Sequence, residues 1–284
     1  MCWRIYNRVM TKNAHSHSFS ALSEPRLWSE VAEAFSGDIA RHLAKYGEDA
    51  LRMAQVGPGM RIADVACGPG TLSLAAVRLG AKVTAIDFSP EMIALLREAA
   101  QGEGAQIDAR VGDGMALPLG TASCDAAFSM FGLIFFPDRA RGFRELLRIL
   151  APGGRAVVGS WLPDERVPLR ADLNRTLSEL IPELPISSRN RPLSDANEFR
   201  AEMTAAGFRN VEVVEVMHEL ESPSIEDYWE TLERSTPPVR AVRESVAPER
   251  WTEVRRKLME AMQARWGSGP VRIPMIANLG IGWV

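Results

Sequence analysis

The chain has 284 residues, of which 46% are hydrophobic and 24% charged, and its formal net charge is −3. These proportions exclude a disordered or fibrous protein and are sufficient for a full core. The acidic balance gives no general attraction to nucleic acid, so no nucleic-acid partner is expected. The sequence has no apolar run of about eighteen residues, the minimum for a membrane span. Three scattered cysteines, Cys2, Cys67 and Cys124, predict a reducing cytoplasm, with no disulfide framework and no metal site.

The N-terminal segment carries basic residues at Arg4, Arg8 and Lys12 but no acidic residue before Glu24. An organelle transit segment is typically arginine-rich and poor in acids, so that interpretation is open. We favour a leader without fixed structure over residues 1–23.

A single domain is expected over residues 24–284. Apolar residues at helical spacing predict one or two amphipathic helices within residues 24–56. Short apolar runs then alternate with helical stretches through a core at residues 57–160, which predicts a parallel sheet covered on both faces. The five strands predicted there are Arg61–Val65, Lys82–Ile86, Gln106–Val111, Asp125–Met130 and Arg155–Ser160, with Gly153-Gly154 as a helix stop before the last.

The alternation weakens after Trp161, where several prolines predict an irregular connection. The pattern then predicts a helix over Asp195–Ala206 and a sixth strand over Val211–Met217. The apolar run Val271–Val284 is predicted to be the last strand. A polar, helical insertion at about 221–267 separates the last two strands and is expected to cover an acceptor site.

The string after the first predicted strand contains Gly68 and Gly70 immediately before a helix. Glycine allows unusual dihedrals and close approach of a ligand, and ligands of doubly wound sheets bind beyond the carboxyl ends of the strands. The dinucleotide fingerprint G-x-G-x-x-G needs a third glycine, but Ser73 stands there. The loop alone leaves open a dinucleotide, another nucleoside cofactor and a structural turn.

An acidic residue ends the second predicted strand, at Asp87. Its carboxylate can accept hydrogen bonds from both hydroxyls of a ribose, each worth about 1.5–3 kcal/mol. The following Ser89-Pro90-Glu91 looks like a helix start, so capping is the alternative role. Asp113 follows the third strand, where Gly-Asp-Gly alone would read as a turn.

The glycine loop resembles the first motif of the class I S-adenosylmethionine-dependent methyltransferases. In that motif an acidic residue, here Asp64, precedes a G-x-G-x-G-like turn. Ala66 replaces the first glycine, a variant that resembles the subfamily of methyltransferase type 11 and the quinone-biosynthesis methyltransferases. The resemblance implies a Rossmann-like, doubly wound α/β fold with a seven-stranded sheet, an antiparallel last strand and a helical lid.

The resemblance also implies S-adenosyl-L-methionine as cofactor and a role for each motif residue. Asp87 would hold the ribose and Asp113 the adenine amino group, with the backbone at Gly114 and Met115 meeting the ring. The remaining cofactor contacts expected are Asp64, Ala66, Gly68, Gly70, Phe88, Met92, Ser129 and Phe131.

We therefore expect methyl transfer to a small organic acceptor by direct in-line displacement. Hydroxyl acceptors benefit from a general base, and His218, near the end of the sixth strand, is the candidate. A packing role for this histidine is the alternative. An NAD-dependent oxidoreductase is disfavoured by the missing third glycine, and a non-catalytic, cofactor-binding regulator is the third possibility.

Overall fold

The computed structural model describes residues 22–183 and 191–284. Within these ranges seven strands form one sheet in the order β3-β2-β1-β4-β5-β7-β6. Strands β1 to β5 are parallel, and β7 runs antiparallel to both β5 and β6. The predicted α/β fold with an antiparallel last strand is confirmed. The strands are β1 (Arg61–Val65), β2 (Lys82–Asp87), β3 (Ile107–Val111), β4 (Cys124–Met130), β5 (Leu150–Trp161), β6 (Arg209–Ser222) and β7 (Val271–Trp283).

Helices cover both faces of the sheet because successive strand residues point to opposite sides. Ile62 of β1 belongs to one core, with Leu96 among its helix residues, while Ala63 belongs to the opposite core, with Phe143 and Phe199. The helices are α1 (Pro25–Asp38), α2 (Ala40–Met53), α3 (Thr71–Arg78), α4 (Pro90–Glu103), α5 (Arg139–Ile149), α6 (Pro168–Leu180), α7 (Ala196–Ala206), α8 (Ile225–Ser235), α9 (Pro237–Glu244) and α10 (Pro248–Trp266).

A third core lies under the helices α6, α8 and α10, which form a helical cover beside β6 and β7. Trp229 of α8 and Leu258 of α10 are buried there together with Ile273 of β7. Helices α9 and α10 each begin at a proline, a position where the missing amide costs nothing. No described helix is long and apolar enough to cross a membrane.

The structure corrects the prediction of an irregular connection after Trp161, because part of it is helix α6. Pro168 occupies the first turn of this helix, and Leu169, Leu173 and Leu177 are buried at helical spacing. A proline in a first turn starts a helix rather than preventing one, and the sequence interpretation overlooked this.

The glycines at Gly153 and Gly154 were also misassigned. The helix ends at Ile149, and β5 starts at Leu150, so both glycines lie inside the strand. The pairing between β4 and β5 shifts register there, which a glycine with φ +77° at position 153 accommodates. Of the predicted leader, residues 1–21 lie outside the described residues, whereas Ser23 Oγ donates to the Phe135 carbonyl at 2.8 Å.

Candidate cofactor and acceptor site

A cavity of about 700 Å³ lies at the carboxyl ends of the parallel strands and continues beneath the helical cover. This volume falls in the range of small-molecule sites. All the cofactor residues expected from the sequence line this cavity, except Gly70 and Ser129. His218, the candidate base, lines it as well. The buried Ser129 hydroxyl forms no hydrogen bond with any residue that the structure describes.

The two loop glycines have different roles. Gly68 has φ +56°, and a Cβ placed on it would meet only Phe35 Cε1, at 4.0 Å. Gly70 has φ +88°, and its Cβ would lie 2.0 Å from Leu96 Cδ1. The loop therefore leaves the cavity open at Gly68, whereas Gly70 is required for packing of the loop on α4 and does not line the cavity.

Ala66 adopts a left-handed conformation, φ +56°, that is unfavourable for an alanine. Its methyl group occupies the space in which a Cβ on Gly132 would lie, 2.3 Å away. Phe131, which lines the same part of the cavity, is also left-handed, with φ +64°. Strained residues of this kind concentrate at ligand sites.

The Asp64 carboxylate is buried at the end of β1, where Ser73 Oγ donates to its Oδ2 at 2.7 Å. Burial, together with the negative charge of Asp87, raises the pKa of Asp64 to about 7. Within the described ranges no ion pair joins either carboxylate to a basic residue. Two acidic groups thus face the cavity without a cation from the protein.

Asp87 orders the loop and the start of α4. Its Oδ2 accepts from the Gly68 amide at 2.8 Å and its Oδ1 from the Ser89 amide at 2.9 Å. Burial raises the pKa of Asp87 to about 6, and these backbone donors oppose that rise. Ser89 is the helix cap, since its hydroxyl accepts from the Met92 amide. The capping role weighed for Asp87 therefore belongs to its neighbour.

Asp113 turns the chain after β3 and is exposed. Its Oδ1 accepts from the Met115 amide at 2.8 Å. That amide is already occupied, so the predicted adenine contact through the backbone N–H of Met115 conflicts with the observed bonding. The amide of Gly114 is the remaining backbone donor of this expected pair.

An aromatic wall, formed by Tyr46, Phe131 and Trp161, lies between the glycine loop and the helical cover. Phe131 and Trp161 stack with ring centroids 4.0 Å apart, and Tyr46 meets both edge-on at 5.4 Å. The Tyr46 hydroxyl donates to the Met275 carbonyl at 2.5 Å. Burial raises the pKa of Tyr46 to about 12, so the phenol stays neutral. Tyr46 was not expected, because a tyrosine inside an amphipathic helix carries no distinguishing signal.

His218 packs edge-on against Tyr46, with ring centroids 4.6 Å apart. Its Nε2 lies 2.7 Å from Asp49 Oδ2, and Asp49 Oδ1 accepts from Arg52 at 2.9 Å. A carboxylate beside one ring nitrogen fixes the orientation and the tautomer of the imidazole. Asp49 lies far from His218 in sequence, so only the packing of α2 on β6 reveals the pair.

The segment after β5 adds three charged residues that the sequence interpretation did not select. Asp164, Arg170 and Arg191 line the cavity beneath the helical cover. Within the described residues no group of three or more histidine, cysteine or acidic side chains is placed to hold a metal ion.

A glycine loop and two buried carboxylates at the switch point of a doubly wound sheet define a protein that binds a nucleoside-type cofactor. A sequence profile described as a methyltransferase domain matches residues 63–158. These residues, about a third of the chain, contain the glycine loop together with Asp64 and Asp87, so this region is similar to the methyltransferase domains that the sequence resembles.

Two relatives match part of the chain in sequence, and a solved structure matches it in fold. A demethylmenaquinone methyltransferase of Thermus thermophilus is 34% identical over 145 residues, 48% of this chain and 65% of that protein. An uncharacterized protein of Mycobacterium tuberculosis is 34% identical over 119 residues, 42% of this chain and 43% of its own length. The matched part thus spans less than two thirds of these relatives. The YcgJ protein of Bacillus subtilis shares the fold with a TM-score of 0.57 at 19% identity, over 86% of this chain and 98% of that one.

Proposed function

We propose that this chain transfers a methyl group from S-adenosyl-L-methionine to a small organic acceptor by direct in-line displacement. The observation that carries the proposal is the continuity of one cavity from the glycine loop to the helical cover. A shared cavity allows two molecules to be held in contact with water excluded. Orientation of this kind contributes about 7–11 kcal/mol to a two-substrate reaction.

The residues at the carboxyl ends of β1 and β2 suit the cofactor. S-adenosylmethionine supplies an activated methyl group on a positively charged sulfonium centre. The carboxylates of Asp64 and Asp87 are buried and lack a described basic partner, so a cationic ligand compensates their charge. Asp87 remains our candidate for the ribose hydroxyls, and the open side of Gly68 leaves room for the methionine portion.

His218 is our candidate base for the acceptor. With Nε2 donating to Asp49, the lone pair of the ring lies on Nδ1, and no described residue hydrogen-bonds that nitrogen. Nδ1 takes the proton of an acceptor hydroxyl as its oxygen attacks, and Asp49 stabilises the imidazolium that forms. A neutral amine acceptor would not need this base.

The proposal is tested by incubating the protein with methyl-labelled S-adenosylmethionine and a panel of small hydroxy, amino and thiol compounds. We expect label in a product and release of S-adenosylhomocysteine, both abolished or strongly reduced in Asp87→Asn. The matched control is Asp108→Asn, because Asp108 is an exposed carboxylate on the neighbouring strand that pairs with Arg110. Cofactor binding without transfer to any acceptor would instead favour the non-catalytic regulator.

A further inference from the structure

We infer that the acceptor is an anionic small molecule, held through a carboxylate or phosphate group by Arg170 and Arg191 beneath the helical cover. This inference rests on the proposed function, since it names the class of acceptor for the same cavity. The inference is based on two observations. Two arginines, Arg170 and Arg191, share a single acidic residue, Asp164, and the indole N–H of Trp229 has no partner among the described residues.

Asp164 is the acidic member of the cluster and is 1% exposed. Arg191 Nη2 donates to its Oδ2 at 2.5 Å, and Asn174 Nδ2 donates to the same oxygen at 2.6 Å. Arg170 Nη2 lies 2.7 Å from Oδ1, yet Oδ1 accepts no hydrogen bond from any described residue. The N–H groups of Arg170 are therefore poorly aligned on that oxygen, although the two charges are adjacent.

The remaining contacts of Arg170 are weak. Its Nη1 donates only to the thioether sulfur of Met275, at 3.8 Å, and a thioether is a poor acceptor. The side chain is 16% exposed and lines the cavity. A guanidinium so buried, to which no described oxygen is aligned as a hydrogen-bond acceptor, favours a ligand that brings negatively charged oxygens.

Arg191 is held in place by the sheet. Ser160 Oγ donates to the carbonyl of Pro192 at 2.6 Å, and Asn278 Nδ2 donates to the carbonyl of Ser194 at 3.0 Å. Both donors are buried on neighbouring strands. Burial and the adjacent charge of Arg170 lower the pKa of Arg191. An anion between the two guanidinium groups removes that repulsion.

Trp229 supplies the independent observation. It is 1% exposed, lines the same cavity, and its indole Nε1–H has no partner among the described residues. Buried indole donors are normally paired, because an unpaired N–H group loses its hydrogen bonds to water without a replacement. A carboxylate or phosphate oxygen is a suitable acceptor.

The cluster lies next to the candidate base. Met275 receives the contact from Arg170, and in the antiparallel pairing of β6 with β7 it stands opposite His218. Glu219, the other acidic residue that lines this part, is exposed on β6 and forms no part of the buried cluster. An acceptor anchored at Arg170 thus has its reacting group near His218 and the aromatic wall.

The test measures binding of matched probe pairs to the protein loaded with S-adenosylhomocysteine. The pairs are benzoate with benzamide and phenyl phosphate with phenol, extended to other carboxylates and phosphate monoesters with their neutral counterparts. We expect the anion of at least one pair to bind about ten- to a hundredfold tighter, the effect of a charge-assisted hydrogen bond. The two pairs separate a carboxylate from a phosphate.

The variants distinguish recognition from a structural role. Arg170→Gln should remove most of the preference for the anion, whereas Asp164→Asn should increase it, because both guanidinium groups lose their competing carboxylate. The matched control, Arg166→Gln, lies in the same segment but pairs with Glu215 on the surface, so it should leave the preference unchanged.

The outcomes are decisive. Equal binding of every anion and its neutral counterpart, or no binding of any, overturns the inference, as does a fall in anion preference in both Arg170→Gln and Asp164→Asn. Calorimetry with S-adenosylhomocysteine on the same samples separates the two proposals. Failure of that ligand to bind contradicts the proposed function, whereas normal binding without anion preference contradicts only the acceptor class.

Discussion

Binding of S-adenosylmethionine is expected to release about one proton at about pH 6.5. Asp64, with its pKa raised to about 7, is about three-quarters protonated at that pH, and Asp87, with its pKa at about 6, is about one-quarter protonated. A cation beside these groups lowers both pKa values, so the bound state holds both as carboxylates. The two protonated fractions add up to about one proton, which is released when the cofactor binds. At about pH 7.5 the number of protons released per cofactor bound falls to about 0.3.

The sign of the affinity change follows from the same pKa values. Because the ionised carboxylates bind the cation, the affinity should rise with pH and level off above about pH 8, one unit above the pKa of Asp64. For a single group with pKa about 6, the ionised fraction rises about tenfold between pH 5 and pH 7, so the contribution of Asp87 to affinity changes by about that factor.

The assay is isothermal calorimetry in buffers of different ionisation enthalpy. The dependence of the observed enthalpy on the buffer gives the number of protons released. At about pH 6.5, Asp64→Asn should release about 0.2 of a proton. Asp87→Asn should release less than about 0.8 of a proton, because the pKa of Asp64 falls when the neighbouring negative charge is removed. An enthalpy that does not depend on the buffer in the wild-type protein would refute the reasoning.

Further predictions concern the glycine loop and the candidate base. Ala66→Gly should raise the free energy of unfolding by about 1 kcal/mol, because glycine relieves the left-handed strain; a lower denaturation midpoint would contradict this. Gly70→Ala should lower the free energy of unfolding by about 2–4 kcal/mol, because its methyl group overlaps Leu96; chemical denaturation checks this, and an unchanged midpoint would be incompatible. His218→Ala should slow transfer to a hydroxyl acceptor about 100-fold or more with unchanged S-adenosylhomocysteine affinity. Asp49→Asn should slow methyl transfer less than His218→Ala does. If His218 only packs, its replacement would instead lower the stability of the protein and its affinity for S-adenosylhomocysteine together.

The strand rhythm and the acidic residues at the ends of the first three strands could be predicted from the sequence because both depend on local patterns. The strand Arg61–Val65 has the predicted bounds, and the antiparallel last strand follows from the family resemblance. Helix α6 was missed because the prolines of this part of the chain were interpreted as breaks, although Pro168 starts the helix.

The acceptor half of the site could not be read in the same way. Asp49 and His218 come from different elements and meet only when α2 packs on β6. Arg170 and Arg191 belong to a segment without any motif, and Gly70 looks like a ligand contact in sequence but packs on Leu96. Such pairings depend on tertiary contacts, which a single sequence does not encode in any short pattern.

The most direct test of the central claim is a calorimetric titration of the protein with S-adenosylhomocysteine, and separately with NADH, at about pH 7.5. The account predicts one S-adenosylhomocysteine site per chain, no NADH binding, and an affinity at least about tenfold weaker in Asp87→Asn, the loss of one charge-assisted hydrogen bond. Binding of NADH in place of S-adenosylhomocysteine, or an affinity unchanged in Asp87→Asn, would contradict it.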